Sequence, residues 1–294
     1  MLQLTVAKAY ELFIQEQLFR GNSRETISYY RITLNMFMDY CGCDLDIEDL
    51  DVMLFKSYQL YLSNTKNIKR VSVRTYARAV KVFYRWLYLE DYIDIKVDKL
   101  KLMKSDKEVI LPLSDTEVKQ LLNCFDDTVL GIRDKAICVL MLDCGLRRSE
   151  VINLKVSDVN FLNRSILVNG KGSKQRIVPF GDVTANLLLA YRKFFDSNEK
   201  SFFLNNDYTP LTSNAVKMMF SRLKERSGIV RIYPHLLRHT YATNYILQGG
   251  NLEVLRVLLG HSSINITQIY IHLASQMHLI NDSYNSHLDT IIDN

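Results

Sequence analysis

The sequence predicts a mainly α-helical protein with one small antiparallel β-sheet. Apolar residues recur at helical spacing over most of the first hundred residues, and this pattern resumes from about residue 182. Between these regions, two short β-rich runs, Ser165–Asn169 and Gln175–Phe180, flank a glycine-containing turn. A length of 294 residues is typical of about two domains.

The first domain, residues 1–98, is expected to be a bundle of helices joined by short connections. Gly21 ends the first amphipathic pattern, and Asn22 with Glu25 resembles an N-cap box that opens the second helix. The four helices are expected at residues 6–20, 22–42, 52–62 and 72–90.

Residues 99–113 carry no amphipathic pattern and contain Pro112, which predicts an interdomain linker. The second domain, residues 114–294, opens with a capping box formed by Ser114 and Glu117. Helices are expected at 115–124 and 131–143, followed by the two-stranded hairpin and further helices. This domain therefore has an α+β composition.

The bulk composition predicts a soluble protein of the cytoplasm. No apolar run approaches the roughly 20 residues that cross a bilayer, and the N-terminus resembles an amphipathic helix rather than a signal peptide. The five scattered cysteines indicate reduced thiols rather than a disulfide framework or a zinc site. A net charge of +5 permits a polyanionic partner without requiring one.

A stripe of basic residues runs along the predicted fourth helix and the residues just before it, with no acidic residue among them. Its members are Lys69, Arg70, Arg74, Arg78, Lys81 and Arg85. The last four fall within a sector of roughly 60° on an ideal helix. Like charges in line destabilise a helix, whereas phosphate contact would offset their repulsion. DNA contact is therefore favoured over a solvated face, although both interpretations stay open.

Several polar residues of the second domain are of the types and spacing that bind an anion. Arg147 stands at the start of a helix after a glycine, where a guanidinium and free backbone amides attract negative charge, although an ordinary surface arginine pair explains the motif equally well in isolation. Lys171 lies between glycines at the hairpin tip, where a plain turn lysine is the commoner explanation. His235 and Arg238 are three residues apart and can point at one centre.

A zinc site formed by His235 and His239 is the competing interpretation of that helix. The zinc-protease pattern needs a glutamate directly after the first histidine, but Leu236 stands there. The nearby Arg238 would also repel a cation. We therefore expect no metal at this helix.

The order Arg147, Lys171, His235, Arg238, His261 and Tyr270 resembles the tyrosine recombinase (phage integrase) family, close to its Xer-like branch. The matching stretches are CGLRRSEVINL, VNGKGSKQRIVPF, YPHLLRHTYAT and LLGHSSINITQIYIH. The resemblance covers the whole second domain, and the helical first domain is similar to the family's DNA-clamping core-binding domain.

The resemblance implies a role for each matching residue. Tyr270 would attack the scissile phosphate and form a 3′-phosphotyrosyl link, while Arg147 and Arg238 would hold the non-bridging oxygens. Lys171 would protonate the departing 5′-oxygen. His235 would accept the tyrosine proton, His261 would donate a hydrogen bond to the phosphate, and Glu150 would orient the arginine or histidine. No cofactor is implied.

The resemblance also implies partners. These are double-stranded DNA with paired inverted half-sites and three further copies of the chain, as a homotetramer or paired dimers on nucleoid DNA, with no membrane. A second recombinase or an accessory factor is compatible with this arrangement. The amphipathic segment after Tyr270 would dock into a neighbouring subunit, or pack on its own domain. The members of its apolar face are Leu273, Met277, Ile280, Tyr284 and Leu288.

Three other functions stay open at this point. The chain could be a DNA-binding protein without catalysis, a type IB topoisomerase that uses the same nucleophile, or a metal-dependent hydrolase. The intact set of six residues argues against the first, and the expected absence of a metal site argues against the third.

Overall fold

The computed structural model describes residues 4–105, 109–170, 175–195 and 199–281. The chain forms two compact units, Met1–Val109 and Ile110–Asn294, hereafter unit 1 and unit 2. The predicted fold class is confirmed, because the described residues are mainly helical and contain one small antiparallel sheet.

The described residues of unit 1 form four α-helices around an aromatic core. The helices are α1 (Val6–Phe19), α2 (Arg24–Cys41), α3 (Val52–Leu60) and α4 (Arg70–Leu89). Phe13 lies at the centre, with edge-to-face contacts to Tyr30, Phe83 and Trp86 at centroid distances of 5.1, 5.4 and 5.6 Å. Such contacts add to the hydrophobic stabilisation that the buried rings provide.

The predicted cap of the second helix is wrong by one residue. The side chain of Ser23, not Asn22, accepts a hydrogen bond from the backbone N–H of Thr26. The Asn22 amide instead donates to the Gln17 side chain at 2.9 Å. Serine and asparagine are nearly equal caps, so their order in the sequence could not separate them.

Packed residues lie at both ends of the segment expected to be a linker. Leu100 is fully buried in the core of unit 1. The Gln59 amide donates to the Lys101 carbonyl and its oxygen accepts from the Met103 N–H. Leu113 is buried in the core of unit 2. Residues 100–103 therefore belong to unit 1, although they show no periodic pattern.

The described residues of unit 2 form eight α-helices and one three-stranded sheet. The helices are α5 (Asp115–Asn123), α6 (Val129–Asp143), α7 (Arg148–Ile152), α8 (Asp182–Arg192), α9 (Ser213–Ser227), α10 (Pro234–Leu247), α11 (Leu252–Leu259) and α12 (Ile264–Asn281). The capping box of Ser114 and Glu117 is present as predicted at the start of α5. The fully buried core residues of unit 2 include Leu121, Ile137, Leu236 and Leu237.

The sheet has the order β1 (Val159–Asn160), β2 (Ser165–Asn169), β3 (Gln175–Pro179), with antiparallel neighbours. Ser165 pairs with Pro179 and Asn169 with Gln175, so the predicted hairpin strands are confirmed. The two-residue strand β1 is too short to leave a periodic signal. The hairpin tip with Lys171 lies outside the described residues.

Over the part of the chain that the structure describes, no helix combines the length and apolarity needed to span a bilayer.

Candidate active site

Five of the six residues singled out by the motif order line one pocket of unit 2. They are Arg147, His235, Arg238, His261 and Tyr270, and the pocket is completed by Ile110, Tyr233 and His239. The sixth, Lys171, lies outside the described residues. Four sequence-distant segments therefore contribute to one pocket.

Two glycines and a proline set the backbone around the pocket. Gly145 has a φ of +61°, and a Cβ there would lie 2.4 Å from Cδ1 of Tyr241. Gly260 ends α11 with a φ of +62°, which turns the chain towards His261. Glycine is the residue that adopts this conformation without steric cost. Pro234 occupies the first turn of α10, one residue before His235.

Arg238 is the most enclosed cation of the pocket, with only 4% of its surface exposed. Its Nη1 donates to the Gly145 carbonyl at 2.6 Å, and its Nη2 donates to the Leu259 carbonyl at 2.7 Å. Burial, followed by the charge of Arg147, lowers the pKa of Arg238 to about 10. The guanidinium therefore stays charged near neutrality and links the ends of α6 and α11.

The side chain of Arg147 is more exposed than that of Arg238 and is hydrogen-bonded to the Glu150 carboxylate. Its Nη1 donates to Glu150 Oε1 at 2.8 Å, and its backbone N–H donates to Glu150 Oε2 at 2.8 Å. Its Nη2 reaches the Gly260 carbonyl at 3.0 Å, and 32% of the side chain is exposed. The guanidinium is thus fixed on one side and accessible on the other.

Sequence reasoning missed Arg176, which lies on β3. Its Nη1 and Nη2 donate to Oε1 and Oε2 of Glu150 at 2.8 and 2.7 Å. Its Nε donates to the Leu258 carbonyl at 2.6 Å. The available signal was the alternation of β3, which places Arg176 on the same face as the buried Val178. A five-residue strand does not show from sequence alone which face is inward.

Glu150 is buried and accepts hydrogen bonds from both arginines. Burial alone would raise the pKa of this carboxyl, but hydrogen bonds and charge from Arg176, then from Arg147, lower it overall. Glu150 is therefore ionised at neutral pH. One buried negative charge holds two guanidiniums, with Arg238 Nη1 3.9 Å from the same carboxylate.

His261 is held as a neutral ring. Its Nε2 lies 3.1 Å from Nη2 of Arg238, and its Nδ1 lies 2.9 Å from the hydroxyl of the buried Thr267. Because a guanidinium can only donate, Nε2 accepts and Nδ1 carries the proton. Burial and then the charges of nearby arginines, Arg238 first, lower the pKa of His261 to about 4.

The lowered pKa of His261 makes stability depend on pH. The unfolded ring binds a proton below about pH 6.5, whereas the folded ring resists it down to about pH 4. The free energy of unfolding should therefore fall as pH drops through this window. His261 should account for about 2 kcal/mol, allowing for solvent screening of the half-buried ring.

Urea titrations from pH 7.5 to pH 4 should show a shallower loss of stability in His261→Gln than in the unsubstituted protein. His235 and His239 also have lowered pKa values, mainly from burial, so some loss remains in the variant. Parallel curves for the two proteins would contradict the prediction.

The phenol of Tyr270 lies in an apolar setting beside a histidine. Tyr270 is 7% exposed and packs in a cluster with Ala242, Leu255 and Leu259. Burial raises its pKa, against the opposing effect of Arg238 and then Arg147. The phenol is therefore protonated at neutral pH in the structure described here.

His239, considered only as a zinc ligand from the sequence, contacts Tyr270. The two ring centroids are 5.3 Å apart. The Nε2 of His239 donates to the Ile110 carbonyl at 2.6 Å. Among the described residues, no group of three or more His, Cys, Asp or Glu side chains could hold a metal ion.

The basic stripe of α4 does not form a uniform ridge. Arg74 donates to the Met103 carbonyl at 2.8 Å and Lys81 to the Leu100 carbonyl at 2.7 Å. Lys69, Arg70, Arg78 and Arg85 are exposed. Two stripe members therefore bind the chain's own segment 100–103, a third possibility that the helix pattern could not reveal.

Comparison of the whole sequence with known proteins gives matches in both units. A model of the phage integrase family matches residues 112–277, and a model of the phage integrase N-terminal SAM-like domain matches residues 10–94. The chain is 33% identical over 291 residues to tyrosine recombinase XerC of Bacillus pumilus, covering 94% of each chain.

Solved structures show the same fold. The site-specific recombinase XerH bound to a palindromic difH substrate has a TM-score of 0.74 at 21% identity, covering 95% of this chain and 84% of that one. The Tn1549 transposon integrase in complex with circular intermediate DNA has a TM-score of 0.72 at 21% identity, covering 93% and 99%. At this level of identity the likeness concerns the fold alone.

Proposed function

From the premise that the chain belongs to the phage integrase family and is a tyrosine-type site-specific recombinase, we propose that the pocket described above is its catalytic centre and Tyr270 its nucleophile. The observation that carries this proposal is that Arg147, His235, Arg238 and His261 line one pocket together with Tyr270.

Tyr270 Oη attacks the phosphorus of one DNA phosphodiester. A bond forms between the tyrosine oxygen and phosphorus, and the bond to the 5′-oxygen breaks, leaving a 3′-phosphotyrosyl link and a 5′-hydroxyl. A protonated phenol is a poor nucleophile, so its proton must leave during attack. Burial, and then the charges of nearby arginines, lower the pKa of His235, which supplies a neutral ring able to accept that proton.

Arg147 and Arg238 bind the non-bridging oxygens of the phosphate. Two guanidiniums already held in place stabilise the charge that develops in the transition state without reorganising. Planar guanidinium forks suit phosphate oxygens better than ammonium groups do. Glu150 supports this role because it holds Arg147 while 32% of that side chain stays exposed.

His261 donates a hydrogen bond to the phosphate only if Nε2 carries a proton. In the structure, Nε2 accepts from Arg238. A bound phosphate adds negative charge beside the ring, which opposes the effect of the arginines and raises the pKa of His261. Formation of the complex therefore requires a proton on Nε2, which is supplied either by protonation of the ring or by the other neutral tautomer with the Thr267 hydroxyl donating to Nδ1.

The leaving 5′-oxygen needs a proton, and the motif order assigns this to Lys171. Resealing reverses the first step, because a 5′-hydroxyl from a second strand attacks the phosphotyrosyl phosphorus. The covalent link conserves the energy of the broken bond, so neither ATP nor a cofactor is required. The arginines supply the charge stabilisation that metal ions supply in many nucleases.

The proposal is tested with a nicked duplex that loses its 5′-hydroxyl fragment after cleavage and so traps the covalent adduct. Proteolysis and mass spectrometry should locate the nucleotide on Tyr270, one of 17 tyrosines in the chain. An adduct on another tyrosine would refute the assignment. Cleavage that leaves no adduct and stops with EDTA would indicate a metal-dependent hydrolase.

We further propose that the target is double-stranded DNA with two inverted half-sites, bound by a homotetramer or a pair of dimers. Similar proteins have been solved with DNA substrates, among them a lambda integrase dimer on a core site. Strand exchange between two sites in a binding-site-dependent assay supports this assembly. Relaxation of any supercoiled plasmid by a monomer would indicate a topoisomerase instead.

The segment after Tyr270 supplies the proposed contact between subunits. Within α12 beyond Tyr270, Leu273 is buried in its own unit, Met277 is partly buried and Ile271 is exposed. Tyr284 and Leu288 lie outside the described residues, and so does the side chain of Ile280. Docking of this segment into a neighbouring subunit, and action at the nucleoid, stay predictions.

Arg78→Ala should weaken DNA binding through the basic stripe. Arg78 is exposed on α4, and removal of one phosphate-binding cation should reduce affinity by up to about tenfold and the slope of log K against log salt by about 0.9. Titrations of labelled duplex from about 50 to 200 mM salt measure both quantities. Lys8→Ala is the control, because Lys8 already pairs with Glu11 at 2.9 Å. Equal slopes for Arg78→Ala and the unsubstituted protein would contradict a phosphate contact.

A further inference from the structure

Arg176 is a buried guanidinium that the proposed chemistry does not use. Only 7% of its side chain is exposed. Its hydrogen bonds go to both oxygens of Glu150 and to the Leu258 carbonyl, with no phosphate contact implied by the family motif. Burying a charge is costly unless it is fully paired, so this arrangement needs a reason.

The partners of Arg176 connect it to both phosphate-binding arginines. Glu150, which it grips with two hydrogen bonds, is the carboxylate that holds Arg147. Leu258 is followed directly by Leu259, whose carbonyl accepts from Arg238, and by Gly260, whose carbonyl accepts from Arg147. One side chain on β3 therefore fixes the anchors of both arginines.

Close packing at Gly260 leaves the guanidiniums of Arg176 and Arg147 little room to move. A Cβ on Gly260 would lie 3.1 Å from Nη1 of Arg176 and 3.4 Å from Nη1 of Arg147. The two guanidiniums thus approach the same backbone turn, which leads into His261. A shift of either one would move the turn that carries the histidine.

We propose that Arg176 is a positioning residue for strand cleavage: it divides the Glu150 carboxylate between two arginines and fixes the end of α11, so that Arg147, Arg238 and His261 face one phosphate. The proposal rests on the catalytic assignment above. Without Arg176, Glu150 is free to rotate and to pair more fully with Arg147. That rotation draws the Arg147 guanidinium towards the protein and away from the phosphate.

A guanidinium suits this position because its three nitrogens all carry N–H donors in one fixed plane. Two of them match the carboxylate of Glu150 and the third reaches a carbonyl from another element. A lysine carries the same charge on a single ammonium group and cannot hold both partners in that geometry. The substitution Arg176→Lys therefore separates charge from positioning.

The test measures DNA affinity and the rate of adduct formation at saturating nicked duplex for Arg176→Met and Arg176→Lys. Misplacing a reacting group by about 1 Å costs on the order of 100-fold in rate. We expect both variants to lose on the order of 100-fold in rate, with affinity within about threefold of the unsubstituted protein. Circular dichroism and thermal melts establish that each variant is folded.

Arg133→Met is the matched control for loss of a buried arginine. Arg133 is 4% exposed, donates to the Leu204 carbonyl at 2.8 Å and pairs with Asp134 at 2.7 Å, but it does not line the pocket. It should lose thermal stability and keep its adduct rate within about threefold. Equal rate losses in Arg133→Met and Arg176→Met would mean that Arg176 only supports the fold.

Combining Arg176→Lys with Glu150→Gln tests the route of action. If Arg176 acts through Glu150, the double variant should be no slower than the slower single variant to within about threefold. Losses that multiply would overturn the route through Glu150 and leave only the contact with the end of α11, whereas a rate of Arg176→Lys within about threefold of the unsubstituted protein would overturn the whole proposal. Absence of an adduct on Tyr270 in the unsubstituted protein would instead overturn the catalytic assignment, so the two failures are distinguishable.

Discussion

Tyr270→Phe is expected to abolish covalent capture of DNA while leaving the protein folded and able to bind its site. Removal of the nucleophile from an enzyme with a covalent intermediate costs on the order of 10⁶-fold in rate. Phenylalanine keeps the ring that packs against Ala242, Leu255 and Leu259. The free energy of unfolding should therefore change by no more than about 1 kcal/mol.

Adduct formation on the nicked duplex, DNA affinity and a urea melt together measure this expectation. Tyr245→Phe is the matched control, because Tyr245 is a partly buried tyrosine packed against the same cluster. The control should form adduct at the unsubstituted rate. An adduct of unchanged yield in Tyr270→Phe would show that another residue is the nucleophile.

Arg238→Lys should lose both catalysis and stability, although it preserves the formal charge. Loss of one transition-state donor costs about 10²–10³-fold in rate. The lysine cannot satisfy both the Gly145 and the Leu259 carbonyls, and one unsatisfied buried carbonyl destabilises by about 1–3 kcal/mol. Burial beside Arg147 would also lower the pKa of the new ammonium group and favour its neutral form.

Arg231→Lys separates the catalytic effect from the general cost of replacing an arginine. Arg231 also donates to two carbonyls, those of Leu111 and Pro112, and pairs with Glu117, but it lies outside the pocket. Adduct rates and urea melts of both variants should show a large rate loss only in Arg238→Lys. Equal rates in the two variants would contradict a direct role for Arg238 at the phosphate.

Local features of the fold followed from the sequence where short-range interactions decide them. The capping box of Ser114 and Glu117 and the hairpin strands are confirmed because their partners are a few residues apart or joined by one turn. The cap at Asn22 was wrong, since two neighbouring residues of equal capping ability competed. The burial of Leu100 lay beyond any periodic pattern.

The residues of the candidate site likewise include some that could be predicted from the sequence and others that only contacts between distant segments reveal. The motif order identified five of the eight residues that line the pocket, and the spacing of His235 and Arg238 on one helix follows from helical geometry. Neither the motif nor the spacing pointed to Arg176, whose hydrogen-bond partners are 26 and 82 residues away. The carbonyls that accept from Arg74 and Lys81 could not be predicted from the sequence either, because they lie 29 and 19 residues away along the chain.

The sequence by itself determined the mainly helical class, the small hairpin sheet and the types and order of the residues that line the pocket. The helical class and the sheet depend on periodicity and on interactions within one or two turns of chain, whereas the pocket residues were identified by their resemblance to the family's motifs. Only the tertiary structure decided that His261 is neutral with its proton on Nδ1, and that one carboxylate holds two arginines. Both depend on burial and on contacts between distant segments, which exist only after the helices and the sheet have packed together.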